Sequence, residues 1–227
     1  MGAPTECVVE VGAKRTFASA VAWPGWCRSA KAEGEALETL VAYGERYAAV
    51  LAAGGPAFTP PRSMGDLRVV ERAPGNATTE FGAPDAVFDA DAAAIAARGW
   101  ARLRSILEAC WAAFDRAATD ADGVVLRKGP RGGGRELGAI VAHVTEAEVS
   151  YLRRLTGAAA QLDDTDPWAS RQLERAAVLD GLDRAKTGTL PEVGPRGGMM
   201  WTPRRFLRRA AWHVLDHTWE IEDRAQA

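Results

Sequence analysis

Residues 202 to 223 read TPRRFLRRAAWHVLDHTWEIED, and this stretch decides how the second half of the chain folds. Its opening Thr-Pro pair is a typical helix start, because threonine caps the first turn and proline needs no hydrogen-bond donor there. At roughly 100° per residue, His213 and His217 both lie within about 20° of Phe206 on the apolar side of the helix. The stretch therefore predicts an amphipathic helix with two inward-facing histidines.

Three further amphipathic helices precede this one. Their apolar residues recur at three- and four-residue spacing, and their predicted ranges are 85 to 118, 135 to 155 and 167 to 185. Turn-rich segments join them, which predicts an all-α up-and-down four-helix bundle. The related motifs GPRGGG (129–134) and GPRGGM (194–199) are interpreted as loops and not as phosphate-binding turns, because no strand precedes either one.

The N-terminal part follows a different pattern. ECVVEV (6–11) and RTFASAVAW (15–23) are short runs rich in valine, threonine and aromatic residues. Runs of this composition around a short turn predict a β-hairpin, which ends at Pro24 and Gly25.

A helix and a third strand are predicted to follow the hairpin. Residues 31 to 51 have the apolar spacing of an amphipathic helix, and LRVVERA (67–73) has the composition of a strand. We therefore predict an α+β domain of two to three strands plus one helix over residues 1–82. The helical bundle occupies residues 83–227.

Charge and cysteine content exclude several classes of protein. The chain has 28 Lys and Arg against 30 Asp and Glu, and the scattered basic residues argue against a nucleic-acid or membrane-surface partner. No segment approaches the roughly 20 consecutive apolar residues of a membrane span. The three separated cysteines suggest neither a disulfide framework nor a cysteine-based zinc site. We expect a cytoplasmic protein with a small-molecule substrate.

The third and last histidine, His143, lies at the edge of the apolar face of the helix over 135 to 155. In an up-and-down bundle the second and fourth helices run in the same direction, so depths can be compared from their starts. At ~1.5 Å per residue, His143 lies about 12 Å from the start of its helix, and His213 and His217 lie about 15 and 21 Å from the start of theirs. The three are expected at a similar level.

An HxxxH pair joined by a histidine from a neighbouring helix predicts a metal site. Three imidazole nitrogens leave coordination positions open for water or substrate, which is typical of a catalytic centre. The alternative is that these are ordinary core or surface histidines, which is the usual interpretation of a lone histidine on an apolar face. The shared orientation and level favour a metal held by His143, His213 and His217.

Residues 85 to 223 resemble the DinB-like superfamily of four-helix-bundle metalloproteins, which includes thiol S-transferases and mycothiol-dependent isomerases. The resemblance is carried by His143 in LGAIVAHVTEAEVSYLRRL and by His213 and His217 in WHVLDHTWE. It implies a divalent metal (Zn, Ni or Fe) on these histidines and chemistry with a low-molecular-weight thiol. Trp219 stands where the sulfoxide-synthase relatives have glutamate, so their chemistry is not expected.

The N-terminal part is similar to the HicB-like antitoxin fold. This resemblance covers roughly residues 5 to 75 and is carried by WPGWCRSAKAEGEALETL, residues 23 to 40. The DNA-binding segment that usually follows this fold has no visible counterpart in the sequence. Operator binding is therefore not expected.

Further residues are candidates for the surroundings of the metal. The candidates for orienting ligands or transferring protons are Glu146, Arg209 and Glu220, with solvated helix surface as an equal alternative for each. The candidates for lining a pocket are Tyr151, Met199 and Trp201, the last two having a hydrophobic cap on the bundle as their alternative. No side chain is assigned as catalytic.

Two classes of function stay open. The first is a metal-dependent thiol transferase, isomerase or hydrolase-like enzyme that acts on a small electrophile. The second is a non-catalytic, metal-stabilised interaction protein whose HicB-like part binds a protein partner. Trp212, Leu215 and Trp219 form a second apolar stripe, which would be a partner surface if exposed. We expect it to pack against the N-terminal part or against the second subunit of a homodimer.

Overall fold

The computed structural model describes residues 3–128, 134–163, 165–195 and 197–226. Its four strands are β1 (Thr5–Val11), β2 (Thr16–Ala20), β3 (Cys27–Ala30) and β4 (Leu67–Pro74). The α-helices in the described residues are α1 (Glu33–Ala42), α2 (Gly44–Leu51), α3 (Ala77–Phe81), α4 (Asp89–Ala92), α5 (Ala97–Asp120), α6 (Leu137–Thr156), α7 (Pro167–Lys186) and α8 (Pro203–Ala225). The prediction of a small mixed α/β part followed by a mostly helical part is therefore confirmed.

The chain divides into two compact units. The N-terminal unit contains the residues up to Cys110 together with Leu207–Trp212, and the C-terminal unit contains Trp111–Phe206 and the residues from His213 onward. The domain boundary expected near residue 82 stays a prediction.

The sheet of the N-terminal unit has the strand order β3-β2-β1-β4. Strands β1 and β2 form the predicted antiparallel hairpin, and β4 pairs parallel to β1. The predicted hairpin ends at the Pro-Gly turn, so strand β3 is an additional strand that the sequence pattern does not predict. Instead Gly25, with φ of 93°, lets the chain reverse so that β3 pairs antiparallel with β2.

The prediction of one helix over residues 31 to 51 is wrong in one respect. The structure has two helices there, α1 and α2, which are divided at Tyr43. A Cβ on Gly44 would lie 3.1 Å from Cβ of Pro60, so the start of α2 packs tightly against that proline. The helix predicted from residue 85 begins at Ala97, because the backbone of Ala93 is extended after the short helix α4.

Helices α6 and α7 run in the same direction. Leu152 and Thr156, near the end of α6, lie against Gly181, near the end of α7, while Ala142 and Trp168 from the first halves of the two helices line one cavity of about 600 Å³. The predicted up-and-down order is therefore wrong, because it makes consecutive helices antiparallel. The ten residues between α6 and α7 span up to about 33 Å when extended, which is enough to return along a 20-residue helix of about 30 Å.

Helices α6 and α8 run antiparallel within the C-terminal unit. Near the start of α6, His143 contacts His213 and His217 of α8. Near the end of α6, the carbonyl of Arg154 accepts a hydrogen bond from the backbone N–H of Trp201, just before α8. The predicted common direction of these two helices is therefore wrong, although the three histidines do meet.

A layer of buried charge joins α5, α6 and α7. Asp115 on α5 accepts hydrogen bonds from Arg171 and Arg175 of α7. The indole N–H of Trp111 donates to the carboxylate of Glu148 on α6 at 2.7 Å. Burial raises the pKa of Glu148 to about 7. Burial, followed by repulsion from Glu148, raises the pKa of the buried Glu174 carboxyl well above its ordinary value.

None of the helices in the described residues is long and apolar enough to cross a bilayer. Of the motif GPRGGG only Gly134 lies within the described residues, and of GPRGGM all residues but Arg196 do. The loop prediction for residues 129 to 133 therefore lies outside the described part of the chain.

Candidate metal centre

The three histidines of the chain come together in the C-terminal unit. The Nε2 atoms of His143 and His213 are 3.3 Å apart, and the ring centroids of the three pairs are separated by 4.7 to 5.0 Å. Each imidazole offers one nitrogen such that all three atoms lie within 4.8 Å of one another. His213 and His217 are buried and His143 is partly buried. The predicted meeting of these residues is confirmed.

One of these separations matches that of two ligands on a first-row divalent metal. Zinc binds imidazole nitrogen at about 2.0–2.1 Å, so two nitrogens on a tetrahedral ion are separated by about 3.4 Å. The observed 3.3 Å between the Nε2 atoms of His143 and His213 matches that separation. Within the described part of the chain, no other group of three or more His, Cys, Asp or Glu residues is arranged to hold a metal ion.

Glu220 fixes the orientation of His217. The Nδ1 of His217 lies 2.7 Å from Oε2 of Glu220. An ionised carboxylate only accepts hydrogen bonds, so Nδ1 carries the proton and the lone pair of a neutral His217 is on Nε2. The hydrogen bond from His217 holds the pKa of Glu220 below its usual range, and Arg224 adds to this effect. A carboxylate behind a metal-binding histidine is a common way to set the tautomer and raise ligand basicity.

Arg224 holds Glu220 in place and was not identified from the sequence. Its Nη1 donates to the other carboxylate oxygen of Glu220 at 2.7 Å, and its Nε donates to the carbonyl of Arg127 at 2.7 Å. The backbone N–H of Arg127 donates back to the carbonyl of Arg224 at 3.0 Å. A Cβ on Gly134 would lie 2.6 Å from Nη2 of Arg224, so a side chain at that position would displace the guanidinium.

The surroundings of His143 favour its neutral, metal-binding form. Burial is the main reason that its pKa lies below the ordinary value for histidine, and the positive charge of Arg135 acts in the same direction. The negative charge of Glu146, one turn further along α6, partly opposes this decrease. Glu146 itself is exposed, so its effect on the site is electrostatic.

One of the three predicted pocket residues, Tyr151, lies beside His213, and a second, Trp201, lies against Tyr151. The ring of Tyr151 makes an edge contact with the His213 imidazole, with centroids 5.7 Å apart, and stacks on the indole of Trp201 at 5.6 Å. Both aromatic side chains are buried. Met199 is 77% exposed and pairs with Val193 in an isolated antiparallel bridge, so its role as a pocket residue stays a prediction.

Arg209 has partners in the N-terminal unit. Its Nη1 donates to the carbonyl of Pro84 at 2.8 Å, and its guanidinium lies over the indole of Trp212. The expectation that it orients ligands at the metal therefore rests on sequence position alone.

The second apolar stripe of α8 is buried. The exposed fractions of its side chains are 4% for Trp212, 0% for Leu215 and 2% for Trp219. Trp212 packs within the N-terminal unit, where its indole meets the ring of Phe17 edge-on and contacts Cys27. For Trp212 this agrees with the expectation of packing against the N-terminal part, and the low exposure of all three residues removes the stripe as an exposed partner surface.

Comparison with family models, with curated proteins and with solved structures found no match to this chain. The DinB-like and HicB-like resemblances therefore rest on the quoted motifs. Support for a metal centre comes from the geometry of the three histidines.

Proposed function

We propose that His143, His213 and His217 bind one divalent metal ion, Zn, Ni or Fe, and that the chain is a metal-dependent enzyme of the DinB-like superfamily. In this proposal the helical part is a four-helix bundle of that superfamily and the N-terminal part is HicB-like. The observation that carries the proposal is the convergence of three imidazole nitrogens in a buried position, with Glu220 fixing the tautomer of one of them.

The proposed chemistry is the activation of a small nucleophile. A bound metal with open positions lowers the pKa of water to about 7 in the zinc case and likewise favours the thiolate of a bound thiol. The protein's part is to present three neutral imidazoles from α6 and α8. Tyr151 packs against one side of His213, and Trp201 stacks on Tyr151. Glu146 is the nearest exposed carboxylate to His143 along α6 and is our candidate for proton transfer.

The substrates that fit this chemistry are a small electrophile and a low-molecular-weight thiol. Transferase, isomerase and hydrolase-like reactions all begin with the same activated nucleophile. An assay panel that pairs thiols with electrophiles therefore distinguishes among them. Failure across that panel removes the transferase assignment but leaves the metal site standing.

The direct test is metal content by elemental analysis after reconstitution with Zn²⁺. We expect one equivalent per chain in the wild type, and loss of stoichiometric binding in His143→Ala and His213→Ala. Arg153→Gln is the control, because Arg153 is an exposed α6 residue that is not part of the histidine cluster. A wild-type protein without stoichiometric metal overturns the proposal.

A metal-stabilised scaffold is the second candidate, in which the HicB-like part binds a protein partner. The low exposure of His213 (6%) and His217 (9%) favours it. Structural metal sites are closed to solvent, whereas catalytic sites keep an open coordination position. The visible absorption spectrum of Co²⁺-substituted protein separates the two. A spectrum that does not respond to added thiol favours the scaffold, whereas a new sulfur-to-metal band favours the enzyme.

A further inference from the structure

The carboxyl end of α8, the helix that carries two of the three histidines, is closed by a residue from a distant part of the sequence. The last four carbonyl groups of a helix have no partner within that helix. Arg127 binds two of them in α8. Its backbone N–H donates to the carbonyl of Arg224 at 3.0 Å, and its Nη2 donates to the carbonyl of Asp223 at 2.6 Å. Arg127 is therefore a C-terminal cap of α8 that lies 96 residues before Asp223 in the chain.

This cap is held from both sides. Leu126, the residue before it, is 3% exposed, so the segment that carries Arg127 is anchored in the apolar interior. The carbonyl of Arg127 accepts a hydrogen bond from Nε of Arg224 at 2.7 Å. The segment and the end of α8 thus hold each other by hydrogen bonds donated in both directions.

The bond from Arg224 to the cap also decides where its guanidinium group points. Nε of Arg224 donates to the carbonyl of Arg127, and Nη1 of the same group donates to Oε1 of Glu220, both at 2.7 Å. A guanidinium is rigid and planar, so fixing one of its donors fixes the direction of the others. Glu220 in turn accepts a hydrogen bond from Nδ1 of His217 on its second oxygen at 2.7 Å. A continuous chain of hydrogen bonds therefore runs from the cap to a proposed metal ligand.

A positioning role and a purely electrostatic role of Arg224 would act on metal binding in opposite directions. The positive charge of Arg224 repels a divalent cation at His217, so removal of that charge alone would raise the metal affinity. Loss of the support that orients Glu220 would instead lower the metal affinity. The sign of the change in a charge-removing variant therefore separates the two roles.

We propose that Arg224 is a positioning residue of the metal centre and that the docking of Arg127 on the end of α8 is coupled to metal binding through Arg224 and Glu220. The inference rests on the proposed metal centre and names what controls the affinity of that site. Such a coupling is reciprocal. If the docked cap raises the affinity for the metal, the bound metal stabilises the docked cap by the same factor.

The first measurement is the Zn²⁺ affinity of the full chain, by competition with a chromophoric chelator. We expect Arg224→Gln to lower it by roughly five- to ten-fold, at the lower end of couplings between sites. In a Glu220→Gln background the same substitution should have no further effect, because Arg224 acts through that carboxylate. Arg153→Gln is the control, since it removes one positive charge from an exposed position of α6 and should leave the affinity unchanged.

The second measurement is amide hydrogen exchange with and without saturating Zn²⁺. By reciprocity, the N–H of Arg127 in the wild type should exchange roughly five- to ten-fold more slowly when Zn²⁺ is bound. The N–H of Thr187, which donates to the carbonyl of Asp183 at the end of α7, is the control amide and should slow less. In Glu220→Gln saturated with Zn²⁺, the difference between Arg127 and Thr187 should disappear.

The possible failures are distinguishable. Failure of the wild type to bind Zn²⁺ overturns the proposed function and this inference with it. Zn²⁺ binding whose affinity is unchanged or raised in Arg224→Gln, or equally lowered in Arg153→Gln, overturns the positioning role alone. Equal slowing of exchange at Arg127 and Thr187 in the wild type would reflect a general gain in stability and overturns the coupling.

Discussion

Glu220 is the side chain on which the orientation of His217 depends. It accepts a hydrogen bond from His217 on one oxygen and from Arg224 on the other, both at 2.7 Å. The three residues follow one another at spacings of three and four along α8, so one helical face carries the ligand, its carboxylate and the cation that holds the carboxylate.

Removing the charge of Glu220 should weaken metal binding. We expect Glu220→Ala to lower Zn²⁺ affinity by roughly ten- to hundred-fold, and Glu220→Gln to lower it less, because glutamine still offers an oxygen to His217. Competition with a chromophoric chelator measures the affinity. Glu222→Gln is the control on the far side of α8, and an equal loss in that variant would mean that net charge and not orientation is responsible.

The three histidines were predictable because each lies on or beside the inward face of its helix. Arg224 was not, although its spacing from Glu220 was visible, because its role depends on the carbonyl of Arg127, which is remote in sequence. Local periodicity shows which face a side chain occupies. It does not show which loop supplies a partner.

The buried charge between α5, α6 and α7 makes stability depend on pH. The pKa of Glu148 is raised from an ordinary value near 4.5 to about 7. A carboxyl whose pKa is higher in the folded than in the unfolded state contributes its full stabilisation of the fold at pH values below the unfolded-state pKa. That stabilisation is lost as pH rises through the folded-state pKa. The protein should therefore lose stability between about pH 4.5 and 7 on account of this group.

Glu148→Gln should remove that loss. Glutamine keeps an oxygen for the indole N–H of Trp111 and cannot ionise, so we expect it to raise the free energy of unfolding at pH 8 by on the order of 2 kcal/mol. Urea unfolding at pH 5 and pH 8 measures the difference. Glu108→Gln, an exposed position on α5, should leave the pH profile unchanged. A Glu148→Gln profile identical to that of the wild type would contradict the buried, protonated carboxyl.

The parallel packing of α6 and α7 can be tested at one glycine. A Cβ on Gly181 would lie 2.9 Å from Cγ2 of Thr156 and 3.2 Å from Cδ1 of Leu152. We expect Gly181→Ala to lower the free energy of unfolding by roughly 1–2 kcal/mol, against the usual preference of helices for alanine. Gly138→Ala is the matched control, because a Cβ there meets nothing within 4 Å. It should be neutral or stabilise by up to about 1 kcal/mol. Stabilisation by both substitutions would contradict the parallel packing.

The extents of the long helices could be predicted more closely than their directions. The starts of α7 at Pro167 and of α8 at Pro203 agree with the predicted ones, and for α8 the prediction came from a capping threonine before a proline. The direction of α7 was predicted wrongly, because apolar spacing reports the buried face and not the path of the connection. The division at Tyr43 was missed for a similar reason, since the prolines that limit Gly44 lie far along the chain.

Across the whole molecule, the metal centre would join distant parts of the sequence. His143 and His213 are 70 residues apart, so a bound ion links α6 and α8 in the folded state only. A ligand that binds only the folded state stabilises it by mass action, by about 4 kcal/mol at a thousand-fold excess over Kd.

Metal should therefore raise the melting temperature. In a chain of 227 residues we expect an increase of about 10 °C on Zn²⁺ addition, reversed by a chelator. Differential scanning calorimetry measures it. His213→Ala should show no such increase, and an equal increase in that variant would place the ion at another site.

The measurement that tests the three-histidine centre most directly is X-ray absorption at the zinc edge of the reconstituted protein, with and without a thiol. We predict three imidazole nitrogens at about 2.0–2.1 Å plus a light exchangeable ligand, and a sulfur at about 2.3 Å in its place when the thiol is added. Fewer than three imidazoles around the zinc would contradict a centre built from His143, His213 and His217.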